Sequence, residues 1–257
     1  MQNLFDLSGK TVLITGASGG LGRAIAETMS AQGATIIVSD LNADQCNSVV
    51  NDLSLQGGTA HSRPCDLSNH HALNSLIESL LHDFSSIDVL ICNAGVQGPA
   101  GSLQNIDELA WQQVMDINLK SAMQLSNALA PRMAEQGGGS IILMSSIAGL
   151  RGNKSIGLYG MSKAALAQLA RNLAVEWGPS GIRVNSISPG LIRTPFAEEL
   201  IANTEFMQRR LGVTPLRRVG EPEEIAGVAV MLASRAGGFI TGQNLVVDGG
   251  TLITDGS

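Results

Sequence analysis

The chain has 257 residues, of which 44% are hydrophobic and 3% aromatic, and its 16 basic and 22 acidic side chains leave a net charge of −6. This length suits one large α/β domain or two smaller ones. The acidic balance argues against a general nucleic-acid-binding protein, which needs a basic face to displace counterions from phosphates. No uninterrupted apolar run approaches the ~18 residues of a membrane span, so we expect no membrane association.

Short apolar runs alternate with helical patterns along the whole chain. The runs that predict strands are TVLIT (11–15), ATIIVSD (34–40), TAHSRPCD (59–66), IDVLICNAG (87–95), SIILMSS (140–146), GIRVNSIS (181–188) and QNLVVDGG (243–250). Helical spacing lies between them, including 107–135, a helix from Tyr159 to about Trp177, 194–212 and 222–234. This alternation is typical of βαβ units. It predicts one doubly wound α/β domain of the Rossmann type over 1–257, with a mainly parallel seven-stranded sheet and helices on both faces.

The cysteines and histidines lack the spacing of a disulfide framework or a metal site. Three cysteines form no CxxC pair, and four histidines form no HExxH motif. Residues 1–10, MQNLFDLSGK, lack the basic and apolar regions of a signal peptide. We therefore expect a reducing, cytoplasmic location and no bound metal.

The first strand leads into the glycine-rich turn TGASGGLGRAIA. Gly16, Gly20 and Gly22 form a G-x-x-x-G-x-G pattern where the strand ends and a helix begins. Glycines let the backbone come close to a ligand, and the helix N-terminus offers free N–H groups to a phosphate. A dinucleotide site is favoured over a plain tight turn because a strand precedes the pattern and a helix follows it.

Asp40 ends the second predicted strand, 24 positions beyond Gly16. A carboxylate at this distance can accept hydrogen bonds from an adenosine ribose, and it would repel a 2′-phosphate. Neither Gly19 nor Leu41 supplies a basic side chain to neutralise such a phosphate, so NAD is favoured over NADP. An N-cap role for Asp40 in SDLN is the simpler alternative.

Tyr159, the only tyrosine, lies four residues before Lys163 in a predicted helix. Positions i and i+4 share a helix face, so the two side chains can meet. A nearby ammonium lowers the pKa of a phenol and makes it a usable acid–base group. Taken alone, the pair favours the simpler interpretation of a packing tyrosine and a solvated lysine, since such spacings arise often by chance.

These motifs, in this order, resemble those of the classical short-chain dehydrogenases/reductases over nearly the whole chain. TGASGGLG resembles the family's cofactor loop, CDLS its adenine contact and NAG its NNAG motif, in which Cys92 replaces the first asparagine and affects a local contact of the fourth strand. DINLKS, ILMSSIAG, SPGLIRT and ITGQNLVVDGG resemble further family motifs. The resemblance implies that the cofactor is bound by Gly16, Ser18, Gly20, Leu21, Gly22, Asp40, Leu41, Asp66, Leu67, Asn93, Ala94, Gly95, Tyr159, Lys163, Pro189, Gly190, Ile192 and Thr194.

The same resemblance implies a catalytic set of Asn118, Ser146, Tyr159 and Lys163. Tyr159 is the expected general acid/base, Lys163 lowers its pKa and holds the nicotinamide ribose, Ser146 orients the substrate oxygen, and Asn118 anchors a water for proton relay. Ser146, thirteen residues before Tyr159, is preferred to Ser145 by its spacing. Structural alternatives are backbone bonding by Asn118, a strand-end hydroxyl at Ser146 and a helix cap at Thr194.

The implied activity is NAD(H)-dependent interconversion of a secondary alcohol and a ketone by hydride transfer. One alternative is a 3-oxoacyl thioester (acyl carrier protein) reductase, although such reductases usually prefer NADPH and Asp40 opposes that cofactor. Enoyl reduction is disfavoured because related enzymes space the tyrosine and lysine more widely. A non-catalytic NAD(H)-sensing protein is the alternative from another class, and an intact set of four catalytic residues argues against it.

The substrate is expected to be a small alcohol or ketone, covered by the segments after Gly95, Gly149 and Pro189. A lid is expected near 191–217, with apolar residues Leu191, Phe196, Leu200, Ile201, Phe206 and Met207. The same residues could pack on the body or on another subunit. Arg209 and Arg210 are interpreted as a solvated face rather than as contacts to an acidic substrate. The resemblance also implies a homotetramer, assembled through the 107–135 and 158–177 helices and the C-terminal strand.

Overall fold

The computed structural model describes residues 3–254, and the outermost limits of the predicted domain, at 1 and 257, lie outside the described residues. Within this range the strands are β1 (Thr11–Thr15), β2 (Thr35–Ser39), β3 (Thr59–Ser62), β4 (Val89–Cys92), β5 (Gly139–Met144), β6 (Ile182–Pro189) and β7 (Asn244–Val247). They form one parallel sheet in the order β3-β2-β1-β4-β5-β6-β7. The predicted doubly wound α/β fold is confirmed.

The helices lie on both faces of this sheet. Their bounds are α1 (Gly20–Ala31), α2 (Ala43–Leu55), α3 (His70–Asp83), α4 (Glu108–Met115), α5 (Ser121–Glu135), α6 (Gly157–Trp177), α7 (Glu198–Ala202), α8 (Thr204–Gly212) and α9 (Pro222–Ala233). Across residues 3–254, none of them is long and apolar enough to cross a bilayer.

Alternate residues of each central strand supply two separate hydrophobic cores. Ile14 of β1 packs in the core under α1, α2 and α9, whereas its neighbour Leu13 packs in the core under α3, α5 and α6. Successive strand side chains point to opposite faces, so a sheet covered on both sides needs continuous apolar runs. This requirement explains why TVLIT and VLIC lack the polar alternation of a half-exposed strand.

The helix predicted over 107–135 is interrupted. A π-helical turn, Asp116–Lys120, separates α4 from α5. A π turn holds one more residue than an α turn and is frequent at functional sites. The apolar spacing of this turn continues that of the flanking helices, so the sequence pattern does not reveal it.

The segment predicted as one helical excursion at 194–212 is two short helices after a 3₁₀ turn, Pro195–Ala197. Asn203, between α7 and α8, has an extended backbone, and its side chain accepts a hydrogen bond from the Phe206 backbone N–H at 2.9 Å. An asparagine in this conformation begins a new helix as its N-cap, which is why the first helix ends there.

The sheet order places a switch point between β1 and β4. Strands follow one another outward from β1 in one direction through β2 and β3, and from β4 in the other direction through β5, β6 and β7. Loops leaving the carboxyl ends of β1 and β4 diverge at such a point and leave a crevice between them. The candidate site lies in this crevice.

Candidate active site

The turn after β1 is held tightly against the end of β4. Asn93 donates side-chain hydrogen bonds to the carbonyl oxygens of Thr15 at 3.1 Å and Gly16 at 2.9 Å. Gly16 has φ of +65°, and a Cβ there would lie 2.8 Å from the Ala94 Cα. A Cβ on Gly22 would overlap the Gly16 carbonyl. Glycine is therefore required at both positions for the turn to close.

The N-terminus of α1 faces the crevice and has no side-chain cap from Gly19, the residue before it. The first backbone N–H groups of a helix lack partners within the helix and carry the positive end of its dipole, so this end suits a phosphate. The Ser39 hydroxyl, at the end of β2 in the same crevice, is buried without a hydrogen-bond partner in the described structure. Both features fit the diphosphate and ribose of a dinucleotide.

Asp40 joins the end of β2 to the glycine turn. One carboxylate oxygen accepts hydrogen bonds from the Ser18 backbone N–H at 3.0 Å and the Ser18 hydroxyl at 2.7 Å, and the other accepts the Leu41 N–H at 2.7 Å. The N-cap of α2 is Asn42, whose side chain accepts the Gln45 N–H. The interpretation of Asp40 as a helix cap is therefore wrong, and its carboxylate borders the crevice.

Lys163 is buried, with 3% of its surface exposed, and its ammonium donates a hydrogen bond to the Met144 carbonyl at the end of β5, at 2.8 Å. Its Nζ also lies 5.5 Å from the centroid of the Tyr159 ring. The predicted sharing of one helix face by these residues is thus present. Burial lowers the pKa of Lys163 to about 8, because a desolvated ammonium is disfavoured.

The Tyr159 hydroxyl is in a desolvated environment. Burial raises its pKa to about 12, and a weaker hydrogen-bond interaction with Ser146 acts in the opposite direction. Burial therefore sets the direction of the shift in this structure, and a lowering of the Tyr159 pKa by Lys163 stays a prediction. The lysine ammonium is directed to the Met144 carbonyl, and desolvation is the largest effect on the phenol.

Ser145 and Ser146 have different partners. The Ser145 hydroxyl is buried and donates to the Lys163 backbone carbonyl at 2.7 Å, which ties β5 to α6. The Ser146 hydroxyl accepts the Ala148 N–H at 3.1 Å and so begins the short 3₁₀ turn Ile147–Gly149. As an acceptor in that bond, the Ser146 hydroxyl keeps its own proton available for a substrate oxygen.

Asn118 projects from the π turn into the interior, with 1% of its surface exposed. Its amide bonds both backbone groups of Val96, accepting the N–H at 2.8 Å and donating to the carbonyl at 2.9 Å, and it donates to the Ser162 hydroxyl at 3.0 Å. These bonds join the loop after β4 to α6. Asn118 thus does bond backbone, as in the simpler interpretation, but the backbone belongs to the loop after β4 and the amide also bonds a side chain of α6.

Cys92, the last residue of β4, is buried within electrostatic reach of Lys163. Burial raises the pKa of this thiol to about 12, while the positive charge of Lys163 lowers it. The place of the family's first asparagine is thus taken by a buried thiol at the end of β4. This replacement puts a thiol within electrostatic reach of the amine, where it opposes the larger effect of desolvation on the pKa of Lys163.

The crevice encloses about 540 Å³ and brings most of the sequence-predicted residues together. All of the predicted cofactor residues line the crevice except Gly22, which packs behind the turn. Of the catalytic set, Ser146, Tyr159 and Lys163 line the crevice, and Asn118 lies behind its wall. Among residues 3–254, no group of His, Cys, Asp or Glu side chains could hold a metal ion. The site thus combines a glycine-lined crevice with a phenol, a hydroxyl and a buried amine.

Known proteins share both the sequence and the shape of this chain. A family model described as enoyl-(acyl carrier protein) reductase matches residues 16–251. The 7alpha-hydroxysteroid dehydrogenase of Escherichia coli (strain K12) is 38% identical over 244 residues, which are 95% of this chain and 94% of that protein. This chain belongs to the short-chain dehydrogenase/reductase family.

Two solved structures extend the comparison. A 7 alpha-hydroxysteroid dehydrogenase complexed with NADH and 7-oxo glycochenodeoxycholic acid has a TM-score of 0.92 and 37% identity, and the match covers 97% of this chain and 98% of that chain. Gluconate 5-dehydrogenase from Burkholderia cenocepacia J2315, in complex with NADP and tartrate, has a TM-score of 0.93 and 29% identity, with 98% of both chains covered. The present dehydrogenase/reductase is an NAD(P)-dependent oxidoreductase acting on CH–OH groups.

Sequence reasoning missed several residues at the substrate end of the dehydrogenase crevice. Arg151, Asn153 and Ile156 line it, as does Arg210, which the sequence pattern assigned to a solvated face. Arg151 and Asn153 lie in the segment after Gly149 that was expected to cover the substrate, and this position was the only signal for them in the sequence. Of the predicted lid residues, Leu191, Phe196 and Leu200 line the crevice, whereas Ile201, Phe206 and Met207 do not.

The buried amine predicts a specific dependence of stability on pH. Lys163 has a pKa of about 8 in the folded protein and an ordinary value of 10.5 in the unfolded chain. Between these values the unfolded wild type binds the additional proton, so the wild-type free energy of unfolding increases with pH. Lys163→Met lacks this contribution. Wild-type stability relative to the variant should increase by roughly 3 kcal/mol across this window.

Urea unfolding of both proteins, at neutral pH and near pH 10.5, measures this change. Other alkaline titrations occur in both proteins and cancel in the difference. A difference between the two proteins that stays constant with pH would show that the amine titrates as an exposed lysine does.

Proposed function

We propose that this dehydrogenase/reductase interconverts a secondary alcohol and a ketone with NAD(H), and that Tyr159 is its general acid/base. The observation that carries the proposal is the position of Tyr159, Ser146 and Lys163 along the same crevice as the glycine turn and Asp40. A hydride acceptor at the switch point and a proton-transferring phenol would thus face one substrate carbon and its oxygen. Bound NAD(H) supplies the hydride, which no side chain can provide.

Each catalytic side chain has a distinct role in this proposal. The Tyr159 hydroxyl donates its proton to the carbonyl oxygen during reduction and accepts the alcohol proton during oxidation. Ser146 donates a hydrogen bond to the same oxygen and stabilises its developing negative charge. Lys163 would hold the nicotinamide ribose and, when its ammonium turns from the Met144 carbonyl, lower the pKa of Tyr159.

Asn118 is proposed as a positioning residue for the proton path. A Cβ placed on Gly95 would lie 3.0 Å from Lys163 Nζ and 3.3 Å from Asn118 Oδ1, so both groups approach the same backbone point. The second lone pair of Oδ1 can accept from a water that also contacts the amine. Such a water would link Lys163 to solvent.

Asp40 supports a preference for NAD over NADP. Its carboxylate lies at the end of β2 beside the crevice, and neither Gly19 nor Leu41 provides a cation there. An adenosine ribose can donate both hydroxyl protons to a carboxylate, whereas a 2′-phosphate would be repelled by it.

Residues 191–217 are proposed as a substrate lid on the single domain 1–257. Leu191, Phe196 and Leu200 face the crevice, and the rings of Phe196 and Tyr159 have centroids 6.1 Å apart. Phe196 is 56% exposed, so the lid holds a large apolar ring next to the reacting phenol without burying it in the protein. Covering this ring with an apolar substrate surface would make binding more favourable, because both apolar surfaces leave water.

A homotetramer and a cytoplasmic location complete the proposal. Leu109, Trp111, Met161 and Val175 are exposed apolar side chains on α4 and α6, and Phe239 is exposed near β7. Apolar groups clustered on helices without a covering element suit subunit contacts. The three cysteines are buried free thiols, as expected in a reducing compartment.

Light scattering coupled to size exclusion should give a mass about four times that of one chain. Trp111→Glu should shift this mass towards smaller species, because a charge at a desolvated interface is unfavourable. Lys154→Glu, which changes the charge of an exposed residue outside these helices, is the control. A monomeric wild type would contradict the tetramer.

Replacing the phenol tests the redox function. The assay follows the absorbance of the reduced cofactor, NADH or NADPH, as secondary alcohols are oxidised or ketones are reduced. The substrates are graded in size and charge, and the wild type is compared with Tyr159→Phe. The variant keeps the ring but loses the transferable proton, so its turnover should fall by ~10²–10⁴. NADH binding, measured by fluorescence, should stay nearly unchanged. Wild-type turnover in the phenylalanine variant would refute the role of Tyr159.

Replacing Asp40 tests the cofactor preference. Asp40→Ala should raise the KM for NAD by about 10- to 100-fold, since hydrogen bonds to a charged group are lost. It should also bring the catalytic efficiencies with NAD and NADP closer together. Ser18→Ala, which removes a hydrogen-bond partner of Asp40 but keeps the charge, is the matched control. An unchanged NAD/NADP ratio in Asp40→Ala would exclude this carboxylate as the selecting group.

A further inference from the structure

Two arginines line the substrate end of the crevice without an anionic partner. Arg151 follows the 3₁₀ turn that begins at Ser146, and Arg210 lies on α8 of the lid. Within residues 3–254, neither guanidinium has a hydrogen bond or a salt bridge. Both side chains are half-buried, so they cannot spread their charge fully into solvent. A pair of unpaired cations in a cleft is unfavourable until an anion joins them.

The groups around Arg210 do not neutralise it. Burial lowers its pKa, and the charges of Arg151 and Arg209 act in the same direction, which places the two crevice arginines within electrostatic reach of each other. Asp248 opposes this effect, but its carboxylate oxygens already accept the backbone N–H groups of Gly250 and Leu252, each at 2.8 Å. The Phe206 ring lies 5.6 Å from the guanidinium carbon and supports the side chain from one side.

Apolar side chains line the crevice together with these arginines. Ile156, Phe196 and Leu200 line the same crevice as Tyr159, whereas the acidic side chains Asp40 and Asp66 line the cofactor end. A ligand here would meet a phenol, aliphatic and aromatic surface and two guanidinium groups. This combination suits a molecule with an apolar body and one terminal anion.

We propose that Arg151 and Arg210 together bind an anionic group on the substrate, remote from the carbon that is oxidised or reduced. The inference rests on the proposed alcohol/ketone function and names its substrate class as amphipathic hydroxy or oxo acids. A guanidinium offers parallel N–H donors that match a carboxylate or a phosphate. Because Arg151 belongs to the body and Arg210 to α8, one anion held by both would also draw the lid over the reacting centre.

The anion could be the carboxylate of a free acid or the phosphate of a phosphopantetheine thioester. Two arms of the experiment separate these sources. In the first arm, calorimetry with saturating NADH compares octanoate with octanamide, which differ in charge but hardly in shape. In the second arm, acetoacetyl phosphopantetheine is compared with acetoacetyl pantetheine, which lacks the phosphate. The proteins are the wild type, Arg151→Met, Arg210→Met, the double variant and Arg209→Met.

The wild type should bind the charged member of at least one pair about 10- to 100-fold more tightly than the neutral member. Each single methionine variant should lose part of this preference, and the double variant nearly all of it. Arg209→Met removes the adjacent exposed arginine, which does not line the crevice, and should keep the full preference. Preference for octanoate identifies a free acid, and preference for the phosphate identifies a carrier-bound thioester.

Equal binding of charged and neutral members by the wild type would overturn the proposal. The proposal also fails if Arg209→Met loses as much of the preference for the charged ligand as the double variant does. It fails as well if the double variant loses NADH affinity but keeps its preference for the charged ligand. The kinetic counterpart compares the turnover of laevulinate and longer methyl-ketone acids with the turnover of their uncharged methyl esters. Since octanoate binding needs no turnover, a missing anion site and a missing redox activity are distinguished.

Discussion

The divergence of the chain at the β1–β4 boundary is the constraint on which the whole site depends. Two parallel strands that lie side by side but continue outward in opposite directions must send their loops apart, and the crevice opens between them. The crevice keeps its shape because Asn93 binds the glycine turn to the end of β4. Glycine at Gly16 and Gly22 then lets α1 begin close enough to the sheet to present its N-terminus to a ligand.

The reacting end of the crevice depends on the burial of Lys163. Its ammonium is desolvated and bonded to the last carbonyl of β5, so α6 cannot shift along the sheet without losing that bond. Ser145 adds a second tie between the same elements through the Lys163 carbonyl. Burying an amine opposes stability at neutral pH, and such a cost is common where a site needs a group with a displaced pKa.

Charge is separated along the crevice, although the net charge of −6 gives no sign of this. Asp40 and Asp66 border the end that suits the adenosine, and Arg151 and Arg210 border the opposite end. Apolar side chains and the phenol line the same crevice. A substrate with an apolar body and a terminal anion would therefore enter in one orientation, because the reverse orientation would bring its anion towards the acidic end.

The sequence alone determined the order of strands and helices, the glycine turn, Asp40 at the end of β2 and the spacing of Tyr159 and Lys163. These features depend on local periodicity, on glycine conformation and on residues close together in the chain, which a linear pattern records. Only the tertiary structure decided that Lys163 bonds the Met144 carbonyl, that Cys92 is within electrostatic reach of its amine and that a π turn directs Asn118 to Val96. It alone brought Arg210 into the crevice with Arg151. These contacts join residues far apart in sequence, and the direction of a pKa shift depends on desolvation, which is a property of the assembled fold.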